Sequence, residues 1–352
     1  MNRMIEFWND EKQYFTDCRL DSYYMVMKFL KKNIDPAKMF ISAGITNEQC
    51  MVISIRYKDN VIKTPIILNS ERGFEEDLCK FWNVNYHSIR SDDGDTEVQL
   101  IQDTITKGTP VIVEIISLFL QNKNLRQKST VLSGVSTSAI IGYDSDGFTL
   151  GIKDAFSNKL IHISYEQYRK ARESKCIPFA PRHEIVFLES GNGEIRDPSD
   201  DTLKKNWLEQ VKRLYNLNGL YELNTKIKEC LKEIDNVEKP ESFCILKTQL
   251  TLIAKSLCKG SYGGFYYELA NSGYQLGYIT EPQMQEMKEI GLAWKKCYLT
   301  LEKLINKFKA RKEIDKFRQA VDSLIMIKHK YLKCIIEKEN KESETIINNE
   351  IY

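Results

Sequence analysis

Apolar positions in the first half of the chain change period several times, and each change marks an element. Leu20, Tyr23, Met27 and Leu30 fall at helical spacing with Tyr24 beside them, which predicts a helix over residues 16–32 capped by Thr16 or Asp17. A loop over 33–48 leads to two apolar runs, Met51–Tyr57 and Ile66–Leu68, that read as strands on either side of a Lys58-Asp59-Asn60 turn. A short helix at 74–82, a strand at 86–89, a helix at 96–106 and a buried strand at 111–116 follow. Residues 136–156 then alternate around Ser145-Asp146-Gly147, the pattern of a β-hairpin. A strand at 160–163, a helix capped by Ser164 and a last strand at 183–188 complete a helix-first α+β pattern ending in an antiparallel sheet.

Beyond this point the pattern is helical. Residues 191–201, rich in Gly, Asp and Pro, read as a linker between a domain over 1–190 and a helical bundle over 202–340. Stripes at Met287, Ile290, Trp294, Tyr298 and Leu301, and again at Phe317, Val321, Leu324, Tyr331 and Ile335, carry that bundle. Interruptions are expected before Pro240 and at Gly260–Gly264, and the polar tail, 341–352 with the residues from Lys338 leading into it, is expected to fray.

A length of 352 residues suits two domains, and a formal net charge of +2 gives no electrostatic reason to expect a nucleic-acid partner. The apolar run Val111–Leu120 is interrupted by Glu114 and too short to cross a bilayer, and the mixed N-terminus lacks the apolar stretch of a secretion signal. A cytoplasmic protein without a membrane partner is therefore expected. Nine cysteines, scattered and without a CxxC pair, point to free thiols in a reducing compartment, with no disulfide framework, no metal site and no bound cofactor expected.

Among these thiols Cys18 has the most suggestive context, because it falls in the first turn of the predicted helix, where unpaired N–H groups and the helix dipole favour a thiolate. Asp154 closes the second strand of the hairpin and is the candidate orienting carboxylate. The plainer alternative for the pair is a half-buried small residue and a strand-ending turn residue. Gly191-Asn192-Gly193 suits a linker better than a phosphate loop, and Asp144-Ser145-Asp146-Gly147 a hairpin turn better than a calcium loop. Lys307, Lys309, Arg311 and Lys312 read as a solvated helix face, and Gly263-Gly264 as a tight helix contact.

In papain-like cysteine enzymes a hairpin of this kind carries a histidine at its opening and an Asp or Asn at its close. Asp17-Cys18 before a Tyr-Met-Leu stripe, Ile141-Gly142-Tyr143-Asp144 with Asp154 closing the next strand, and Ser164-Tyr165-Glu166 resemble the N-terminal domain of the butirosin biosynthesis protein H family. Ile253 through Trp294, with Gly263-Gly264-Phe265-Tyr266, is similar to the helical domain that accompanies it in bacterial natural-product gene clusters, non-ribosomal peptide clusters among them. The resemblance implies a papain-like fold that performs acyl transfer, passing an acyl group from the phosphopantetheine thiol of an acyl or peptidyl carrier protein to a small amine acceptor. Cys18 would be the acyl-accepting thiolate and Asp154 the orienting carboxylate. The histidine position falls at Ser136, or at Ser138 in a register two residues later, so the general base is missing. His162 or His87 is the candidate substitute base. Three readings follow: a cysteine-dependent acyltransferase or amide-forming enzyme, a degenerate member that binds a carrier protein or pathway product, and, less favoured, a cysteine peptidase.

Overall fold

The computed structural model describes residues 3–5, 15, 17–31, 33–57, 60–70, 73–91, 93–116, 135–153, 159–173, 181–191, 194–216, 218–232, 240–306 and 311–350. Among them run β1 (Arg3–Met4), α1 (Cys18–Leu30), α2 (Pro36–Ala43), β2 (Thr46–Tyr57), β3 (Asn60–Ser70), α3 (Phe74–Phe81), β4 (Val84–Arg90), α4 (Gly94–Thr106) and β5 (Val111–Ile116). There follow β6 (Val135–Tyr143), β7 (Gly147–Lys153), β8 (Leu160–Ser164), α5 (Tyr165–Arg172), β9 (Glu184–Ser190) and the helices α6 (Asp200–Tyr215), α7 (Asn218–Lys232), α8 (Pro240–Gln275), α9 (Glu281–Asn306) and α10 (Arg311–Glu350). The α+β class and the helical second half are as the sequence pattern predicts.

The chain divides into two compact units, Met1–Met39 with Glu75–Pro198, and Phe40–Phe74 with Ser199–Tyr352. The first is built on a seven-stranded sheet in the order β4-β9-β5-β6-β7-β8, with β1 alongside β6, and its pairs are antiparallel. Strand β5 aligns Val111 with Ile140 and Val113 with Ser138, so alternate residues of the two strands share a face. Val111, Val113, Ile115 and Ile140 form a core there with Val98, Ile101 and Ile105 of α4 and Tyr168 and Ala171 of α5. Helix α4 starts because the Asp93 carboxylate accepts from Thr96 N, and α5 because Ser164 and Gln167 form a reciprocal capping box.

A buried ion pair crosses this core. Arg172 Nε donates to Glu97 Oε1 at 2.7 Å, both side chains 3% exposed. Its terminal nitrogens donate to the backbone oxygens of Glu114, Arg182 and Glu184, and Tyr168 donates its hydroxyl to the same Glu97 oxygen. Two charges out of water are tolerated here because their hydrogen-bonding groups are nearly all engaged.

In the second unit the β2–β3 hairpin lies with the C-terminal helices. Gln210 of α6 accepts from Thr46 Oγ1 at 3.0 Å and donates to Ile41 O at 3.0 Å, and Gln249 of α8 donates to Lys63 O at 2.9 Å. Fully buried Trp207 donates from Nε1 to Leu269 O at 3.1 Å, and a Cβ added at Gly273 would meet that indole nitrogen at 2.7 Å.

Several expectations change. Residues 40–74 belong with the helices and not with the sheet, so the first unit is discontinuous and differs from the expected 1–190 domain; its end at Pro198 falls inside the expected 191–201 linker. The predicted loop at 33–48 contains α2, which begins as Asp-Pro sequences favour: Asp35 Oδ1 accepts from Ala37 N at 2.7 Å, and Pro36 fills a helical position whose N–H would be unpaired anyway. Helix α8 continues through Gly260, Gly263 and Gly264, and α10 reaches Glu350 through the segment expected to fray. Glycine costs a helix only about 1 kcal/mol, which packing along a 36-residue element can offset.

Candidate active site

Cys18 opens α1, and three sets of contacts define its setting. At the N-cap, Asp17 is extended, and its carboxylate accepts from Arg19 N at 2.9 Å and Leu20 N at 3.1 Å. Beside the helix, Thr137 N donates to Cys18 Sγ at 3.4 Å, and the Ser136 hydroxyl donates to the same sulfur. One turn on, buried Ser22 shares its one hydroxyl proton between Cys18 O at 2.8 Å and Thr137 O at 3.0 Å, so a single hydroxyl ties the start of α1 to the opening of β6. The sequence signal for Ser22 was its place four residues after Cys18; on a helix that offset returns a side chain to the same carbonyl.

The thiol is not activated as the helix terminus alone would suggest. Burial pushes its pKa up and Asp17's charge adds to that, against the lowering by Thr137 N–H, the Ser136 hydroxyl and Arg19. An acidic cap thus occupies the N–H groups that would have favoured a thiolate and sets a negative charge next to it. At neutral pH Cys18 is a protonated thiol.

A ring of charges lies around the start of the helix. Arg19 is 3.6 Å from Asp17 and 3.8 Å from nearly buried Glu75 of α3. Glu75 also accepts from Arg182 Nη2 at 2.9 Å, while Arg182 Nε and backbone N donate to Glu114 at 2.9 and 2.7 Å. Glu114 stands opposite Thr137 in the β5–β6 register, so this network reaches the strand that touches the sulfur. Sequence periodicity gave no sign of it, because Arg182 reaches Glu114 and Glu75 from 68 and 107 residues away along the chain.

Of the candidates named from sequence, Cys18 and Ser136 come together. Ser138 sits on the same face of β6, fully buried, with its hydroxyl lacking a hydrogen-bond partner. Asp154 lies outside the described residues. His162 Nε2 is 3.2 Å from an Asp144 carboxylate oxygen at the hairpin turn, and that carboxyl is held below its usual range chiefly by the Asp146 and Gly147 N–H groups. His87 stacks on Phe187 at 4.9 Å, with Nε2 3.2 Å from Glu189 but out of hydrogen-bonding alignment. His183 lines a small cleft with Glu97, Tyr168, Arg169 and Arg172, and His329 meets Tyr215 at 3.2 Å in the second unit. Among the described residues no histidine is hydrogen-bonded to the Cys18 thiol. Nor do the described residues bring together three His, Cys, Asp or Glu side chains able to hold a metal, and no described helix is long and apolar enough to cross a membrane.

No family model matches the sequence, and no curated protein matches it. A crystal structure described as a C39-like peptidase from Bacillus anthracis superposes with a TM-score of 0.35 and 13% identity, over 55% of this chain and 100% of that one. A likeness of that strength carries no argument about activity. The resemblance to the butirosin biosynthesis protein H family gains no support from these comparisons. What the described residues do bring together is a cysteine opening a helix and the first residues of a strand in an antiparallel sheet.

Proposed function

We propose that this protein is a cysteine-dependent acyltransferase of thioester substrates, with Cys18 as the acyl-accepting thiol. The donor is an acyl group on the phosphopantetheine arm of an acyl or peptidyl carrier protein and the acceptor a small amine, as in bacterial natural-product biosynthesis. The observation that carries this reading is the sulfur's setting at the start of α1, where it receives the Thr137 N–H and the Ser136 hydroxyl, with serine where a base would stand.

Loss of a general acid–base group commonly costs ~10²–10⁴-fold. Peptide hydrolysis suffers the whole of it, because an amine leaving group has to receive a proton. Thioester exchange suffers less, since the leaving thiolate is stable without one. A peptidase is accordingly the less favoured reading.

A second reading has its own observation. The raised pKa of Cys18 favours a protein that binds a carrier protein or pathway product without chemistry. Intact-mass spectrometry after incubation with a panel of acyl thioesters separates the two. The acyltransferase predicts a mass increase equal to the acyl group on the wild type and none on Cys18→Ala; no adduct with any thioester leaves the binding reading.

A further inference from the structure

A small cleft opens in the first unit where the start of α4, the end of α5 and the approach to β9 meet, with Gly94, Glu97, Arg169, Arg172 and His183 in its wall. Its volume is about 30 Å³, room for roughly two water molecules. Much of the charge in that wall is already matched. Arg172 and Glu97 neutralise each other, and Tyr168 donates to the same carboxylate. Arg169 differs. Its Nη2 reaches outward to Asp95, which is 83% exposed, so water screens that pair. Its Nε, in contrast, is buried and has no hydrogen-bond partner among the described residues. A donor on a charged group is among the costliest to leave unmade out of water.

Gly94 keeps the space beside this nitrogen open. A Cβ there would stand 3.6 Å from Arg169 Cγ and Cδ and 3.9 Å from Nε, so a longer side chain would run over the guanidinium. Gly94 does not have a left-handed φ, so what the glycine provides here is room.

We propose that this cleft binds a carboxylate, one oxygen of which accepts from Arg169 Nε, carried by a small carboxylic acid or by the free C-terminus of a peptide. A water could satisfy the donor. Only an anion also meets its charge, and hydrogen bonds between charged partners are the stronger ones. The two oxygens of a carboxylate match the room available, whereas the four of a phosphate exceed it, and Glu97 in the wall opposes a dianion. The His183 ring, in the same wall, has an N–H to offer the second oxygen in either protonation state. The site does not use Cys18, so it stands or falls separately from the acyl-transfer reading.

The test follows the arginine Nε–H resonances of the full-length, arginine-labelled protein by NMR, with the Arg169 signal identified by its absence in Arg169→Lys. Acetate, the tripeptide Gly-Gly-Gly and its C-terminal amide are titrated separately, against sodium chloride at matched ionic strength. The Arg169 signal is expected to shift with saturation in acetate or in the tripeptide and to stay in place in chloride. Saturation by acetate alone assigns a small acid; saturation by the tripeptide and not by its amide assigns a peptide terminus; either outcome supports the proposal. In Gly94→Leu the added side chain should weaken the binding about tenfold or more, while the melting temperature holds or rises because leucine is the better helix former. No saturable shift with any carboxylate up to about 50 mM, where even a weak millimolar site would fill, overturns the proposal. So does a shift of equal size in chloride, which would mark general screening, and so does undiminished binding in Gly94→Leu, which would place the carboxylate elsewhere.

Discussion

At Cys18 two influences of one helix terminus oppose each other, and the neighbouring side chain decides between them. The N-terminal N–H groups favour a thiolate, but Asp17 has taken two of them and brought its charge. Asp17→Asn keeps a good cap, because asparagine accepts the same bonds, and removes the charge. The pH profile of Cys18 alkylation should therefore move to lower pH with little change in melting temperature; a profile that stays in place would show that burial alone sets the thiol. The sequence made Cys18 legible through its position in a predicted first turn. It could not show the Thr137 N–H at the sulfur or the reach of Ser22 to Thr137 O, which depend on strand β6 lying beside α1, a tertiary fact without local signature.

Between elements, the Glu97–Arg172 pair joins α4 to α5 over the sheet, and Arg172 reaches three backbone carbonyls beyond its carboxylate. Arg172→Met should destabilise the protein by ~3–5 kcal/mol in urea unfolding, since it strands a buried carboxylate, and a Glu97→Leu, Arg172→Met double variant should recover most of that loss. Equal losses in single and double variants would assign the effect to the orphaned carbonyls instead. Elements with strong local grammar were legible: Val111–Ile116 reads from its apolar run, and the Ser164 cap from Ser-x-x-Gln. Others were hidden by rules that packing overrides, as when α8 runs through Gly260, Gly263 and Gly264. Gly147 reads from the sequence as part of a hairpin turn, and its place is also fixed from outside: a Cβ there would fall 2.0 Å from Ile163 O on the neighbouring strand.

For the whole molecule, burial of titratable groups sets a pH limit. Burial pushes the Cys79 and Cys297 thiols up to about 12 and Cys50 to about 11, and raises Tyr23 and Tyr168 well above 10.0. These groups stay protonated in the folded state after their unfolded counterparts have ionised, so the stability they contribute is complete below the ordinary thiol value of 9.0 and is lost progressively towards 12. Melting temperature should hold up to about pH 9 and fall steadily above it; a flat profile to pH 11 would contradict the burial of these side chains.

The route of the chain through its two units sets a schedule for its synthesis. Residues 40–74 leave the ribosome early, yet the helices they belong with begin at Ser199, and α8 ends only at Gln275. At ~5–20 residues per second the finished β2–β3 hairpin waits roughly ten to forty seconds for that helix. During that interval a hairpin of one twelve-residue and one eleven-residue strand, with two open edges, is exposed to other nascent chains, so the cell's chaperones are expected to engage this protein at its hairpin first.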